Sequence, residues 1–189
     1  SAANTFTGVT NMYGYGAGNN FVLYLTNSLA LQNSTLNYVA NRASNLSFGN
    51  GGTSGQTAYT FGGLEGNLDL NLNNNNTTVG AVALTVGGDN DSTTYSGVLS
   101  NTVAGGSITK VGTGSLTFTG VNTYSGGTTV TGGTLKTGAT GNFGTGGVSV
   151  AGATLDLGNI GSIADNAAVT FTDSSSIQLD AVSGSEVIG

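Results

Sequence analysis

The sequence predicts an all-β fold, a right-handed parallel β-helix wound in roughly nine turns of about 20 residues. Three observations lead there: short apolar motifs that recur in register, abundant glycine without a single proline, and very few charges. Thr129–Thr137 (TVTGGTLKT) returns twenty residues later as Ser149–Leu157 (SVAGATLDL), and once more, with one insertion, as Thr170–Leu179 (TFTDSSSIQL). Val130, Val150 and Phe171 share one register position, and Leu135, Leu155 and Ile177 share another. Alternation places these six on one face and their Thr or Ser neighbours on the other, so the six are the expected solenoid core. A unit this short cannot bury its apolar face alone, and successive copies must stack.

Composition supports a folded chain. Of 189 residues, 34 are Gly, without the three-residue period of collagen. Disorder pairs low hydrophobicity with high charge, whereas here 37% of residues are hydrophobic and 6% charged. Proline is tolerated in sheets only at edges and bulges, so its absence suits strand pairing along the whole chain. Helix is disfavoured, because few windows keep a 3.6-residue apolar period free of Gly and Asn.

Taken in order, residues 1–60 are irregular and rich in Asn and Tyr. Phe6 and Val9 lie in a loose polar segment that reads as an N-terminal arm. Phe21–Leu25, Leu29–Leu31 and Leu36–Val39 read as short strands of irregular turns, and Gly49–Gly55 as a bulging loop rather than a domain boundary. Residues 61–189 read as the regular solenoid. There Leu84–Gly87 leads to Thr94–Gly97 as Leu116–Thr119 leads to Thr123–Gly126. The run Asn73–Asn76 is expected to be a loop. The chain's last nine residues, 181–189, form an apolar run without a visible cap, which makes Val187 and Ile188, with Phe6 and Val9, candidates for an assembly interface.

Lys110–Gly120 (KVGTGSLTFTG), Asn122–Val130 (NTYSGGTTV) and Gly132–Leu135 (GGTL) together resemble the autotransporter-associated β-strand repeat. The resemblance extends over residues 60–160 and is weak over 1–60. It implies a right-handed parallel β-helix in secreted or surface-anchored bacterial proteins, many of them stalks. The C-terminal outer-membrane barrel of that family has no room here, so the chain is expected to be either a piece of a passenger or a small subunit that assembles by another route.

The residues offer little chemistry. Without His or Cys the usual general base, thiol nucleophile and commonest metal ligand are missing. Asp89 and Asp91 are weak candidates for a calcium site that needs six to eight oxygens, and read rather as a solvated turn. Asp69, Asp156 and Asp180 read as outward strand positions, and most tyrosines as core. The Thr-x-Thr triplets suggest an outward column of the kind that binds ice, interrupted at Ser149 and Ala151, and read more simply as good exposed strand residues. The cations Arg42, Lys110 and Lys136 are too scattered for a nucleic-acid surface, and no apolar run reaches membrane-helix length. No enzyme activity and no cofactor are expected. The sequence therefore predicts a non-enzymatic, secreted or cell-surface structural protein, a stalk or a subunit of a fibre. Its partners would be further copies joined end to end, or flanking turns of a longer chain. The alternative is an adhesin that binds glycans through the loops at 49–55 and 87–93.

Overall fold

A computed structural model describes residues 4–12, 21–39, 44–52 and 55–180. Seventeen strands follow in order: β1 (Gly8–Met12), β2 (Phe21–Leu25), β3 (Leu31–Tyr38), β4 (Ser44–Phe48), β5 (Ala58–Gly66), β6 (Leu70–Asn71), β7 (Ala83–Val86), β8 (Thr93–Tyr95), β9 (Leu99–Ser100), β10 (Ser107–Lys110), β11 (Ser115–Phe118), β12 (Thr128–Val130), β13 (Thr134–Thr137), β14 (Val148–Ala151), β15 (Thr154–Leu157), β16 (Val169–Thr172) and β17 (Ser176–Leu179). All ladders between them are parallel. The chain is a parallel β-solenoid.

Its first face stacks the start of β5 on β7, β10, β12, β14 and β16. Its second face runs from β1 through the later parts of β3 and β5 to β8, β11, β13, β15 and β17. The long strand β5 belongs to both faces and joins them into one 13-stranded sheet. A third side carries the short pairs β2–β4 and β6–β9.

The solenoid has about seven turns, not nine. The later turns keep the expected period: Thr128 sits opposite Ile108 on one side and Val148 on the other. The earlier turns are longer, since Val9 pairs with Thr35 and Ala58 with Ala83. Longer corners consume residues without adding height, which lowers the count.

Val130 lies opposite Val150, and Val150 opposite Phe171; Leu135, Leu155 and Ile177 are aligned in the same way. Val130, Val150, Leu135 and Leu155 are fully buried, each contributing about 1.5–3 kcal/mol by transfer from water. Phe171 and Ile177 differ, at 40% and 42% exposed, because β16 and β17 end the stack and no described turn covers them. Of the tyrosines, Tyr38, Tyr59, Tyr95 and Tyr124 are buried in the core, Tyr24 is exposed, and Tyr13 and Tyr15 lie outside the described residues.

Asparagine stitches the corners. The run Asn73–Asn76 is not a free loop, since Asn74 and Asn76 are buried. Asn74 Nδ2 donates to Gln56 O and its Oδ1 accepts the Gly80 N–H, while Asn73 Oδ1 accepts the Thr102 N–H from the next turn. Asn101, Asn122 and Asn142 cap backbone N–H groups of Ser125, Leu99 and Asn122 in the same manner. These amides satisfy backbone groups that the corners remove from the ladder.

Candidate functional site

Three arrangements stand out: a buried lysine at a corner, an ion-paired ladder on the second face, and a polar trough on the first.

The lysine occupies an apolar position. In β10, Ile108 and Lys110 alternate with Thr109, and Lys110 is aligned with Val86 and Val130 of the adjoining turns. Its side chain therefore enters the core, where Lys110 is 1% exposed. The ammonium reaches the corner, where Nζ offsets its desolvation by donating to Val111 O at 2.7 Å, Gly112 O at 3.2 Å and Gly132 O at 3.3 Å. Two successive turns are thus tied by one cation. Burial lowers its pKa, and the nearby Asp89 carboxylate opposes that shift. Gly112 makes the corner possible, because its φ is +70° and a Cβ there would lie 1.9 Å from Gly87 O.

Asp89 and Asp91 do not converge. Thr35 Oγ1 donates to Asp89 Oδ2 at 2.5 Å, and the Asp91 N–H donates to Asp89 Oδ1, while Asp91 itself is exposed. The Asp89 carboxylate rests over Gly62 and Gly63, where a Cβ would meet it at 2.9–3.0 Å. Among the described residues, no three His, Cys, Asp or Glu side chains gather as a metal site would need.

On the second face, Lys136 bridges Asp156, at 2.9 Å, and Asp180. Asp156 takes the outward strand position expected, but at 5% exposed it is covered in the ladder between Lys136 and Gln178. The two carboxylates raise the Lys136 pKa, and the Lys136 ammonium lowers that of Asp180.

The first face carries a ladder of hydroxyls on its outer surface. Thr60, Thr85, Thr109, Thr129, Ser149 and Thr170 are aligned rung by rung. Ser149 continues this column rather than interrupting it, and the break at Ala151 falls in the neighbouring one. Beside the hydroxyls run small residues, among them Ser107, Gly127, Gly147 and Ala168, so the surface sinks into a trough of about 340 Å³. No charged or aromatic side chain lines it.

The expected assembly residues are divided. Phe6 and Val9 are 44% and 52% exposed, but their segment is no free arm: Asn4 Nδ2 donates to Ala30 O, and Asn4 O accepts from Gln32 and Asn33. Val187 and Ile188, like Arg42, lie outside the described residues. Alternation in Ser107–Lys110 is the sequence signal that places Lys110 inside.

Among known families, residues 108–136 match the passenger-associated-transport-repeat. That segment runs from within β10 to within β13 and contains both Lys110 and Lys136. No curated protein and no solved structure matches the chain.

Proposed function

We propose that this chain, a parallel β-solenoid that carries a passenger-associated-transport-repeat, is a non-enzymatic structural element outside the cell: a rod whose C-terminal end is continued by a parallel turn of a second copy. The last described turn carries the reading. Among the described residues, strands β16 and β17 are paired on one side only, and Phe171, Ile177 and Leu179 are 40%, 42% and 62% exposed. A strand edge of this kind is a template for another chain.

Polarity supports the same joint. β1 and β17 end the second face at opposite ends of one parallel stack. A copy translated along the axis therefore presents β1 to β17 without reversing direction, and a head-to-tail contact that does not close makes a fibre. Within a longer chain, the next turn would take the same place. The adhesive alternative has less to work with at 87–93, because Asp89 is held by Thr35 and Asn90 Oδ1 accepts from Thr113.

Negative-stain electron microscopy at rising protein concentration tests the proposal. Filaments with an axial repeat of roughly 34 Å, seven turns at ~4.8 Å each, are expected. Monodisperse short rods at every concentration would refute assembly through this edge.

A further inference from the structure

We propose that the trough on the first face binds a neutral glycan chain laid along the solenoid axis across the hydroxyls of Thr109, Thr129, Ser149 and Thr170, with Thr85 continuing their column beyond it. The hydroxyls are aligned through consecutive parallel ladders, one per turn. Strand spacing repeats them every ~4.8 Å.

Several hydroxyls of this protein are committed within the chain. Thr131 Oγ1 donates to Lys110 O, Thr145 Oγ1 to Tyr124 O, and Thr154 pairs with Ser176. Among the described residues the hydroxyls of this column, like those of Thr94 and Thr117 on the second face, have no partner, and four of this column line the trough. The backbone along the floor is already committed, with the Ile108, Thr128 and Val148 N–H groups donating to Gly127, Gly147 and Ala168 carbonyls. What the trough offers is a row of free groups, each both donor and acceptor.

The lining selects the class of ligand. It holds no charge, and the chain is net −6, which disfavours polyanions. With no aromatic or large exposed apolar anchor, it does not suit a lipid or an apolar peptide. An added peptide strand needs an open edge, and between β7 and β16 this face has none. A polymer of repeating neutral polyols supplies matching donors and acceptors at regular intervals.

Affinity electrophoresis of the intact chain in gels containing laminarin, hydroxyethyl cellulose or alginate tests the inference. The variants are a trough triple, Thr109→Val with Thr129→Val and Ser149→Ala, and a control on the second face, Thr94→Val with Thr117→Val. Thermal melts establish that each is folded. Retardation by at least one neutral glucan is expected, weakened tenfold or more in the triple variant, unchanged in the control, and absent in alginate. No retardation by either neutral glucan overturns the inference, as does equal loss in the control. Thermal hysteresis that depends on the same three hydroxyls, without glucan retardation, would assign the ladder to ordered water instead. The assembly reading stands apart from each of these outcomes.

Discussion

Replacing Lys110 with Met keeps most of the side-chain volume and removes the ammonium. Three carbonyls, those of Val111, Gly112 and Gly132, then lose their donor. A buried acceptor left unpaired costs about 1–3 kcal/mol, and the corner is close enough to solvent for the lower figure. Against this stands relief from desolvating a cation, which favours Met. With three charge-assisted bonds the losses prevail, and a net destabilisation of about 2–3 kcal/mol is expected. Lys110→Ala also loses three buried methylenes at ~0.8 kcal/mol each, bringing its cost to about 5 kcal/mol. Urea titration followed by far-UV circular dichroism measures both. A Lys110→Met protein as stable as the wild type, or more stable, would refute the clamp and reduce Lys110 to a packed hydrocarbon stem.

The remaining predictions concern protons, corners and ends. Burial raises the pKa of Tyr59, Tyr95 and Tyr124 above 10.0, and chiefly burial that of Tyr38. The unfolded chain therefore loses phenolic protons first, so stability present below pH 10 falls as the pH rises beyond it; melts between pH 8 and 12 would show this. Gly112→Ala should cost more than 3 kcal/mol, since its Cβ would collide with Gly87 O at a positive φ; a urea midpoint near that of the wild type would contradict it. Leu135→Ala in the closed core should cost about 2–5 kcal/mol and Ile177→Ala in the open turn clearly less, read by the same titration. Ile177→Asp with Leu179→Asp should abolish filaments while leaving the monomer folded, as judged by sedimentation velocity and circular dichroism.

Repetition made the solenoid legible in the sequence. Val130, Val150 and Phe171 align in a plain string because the corners between them have nearly constant length. The first turns hide the same geometry, since corners of variable length move Thr35 and Leu64 away from any fixed period. Lys110 was obscured by chemistry rather than spacing. A charged residue reads as surface until alternation with Ile108 is given priority over polarity. The hydroxyl column required pairing across five turns, because no local window shows that Thr85, Thr109, Thr129, Ser149 and Thr170 share it.

The direction of the ladder has a mechanical consequence. In a solenoid the hydrogen bonds between turns run along the axis, so tension applied end to end loads each row in opening rather than in shear. A turn at the end of the stack should peel first, its neighbours following singly. Each released turn of about 20 residues frees roughly 70 Å of chain, against the ~4.8 Å it occupied in the rod. A stalk built this way would yield in small steps under drag, lengthening many-fold before it parts. The Lys110 clamp would appear as the step that resists longest.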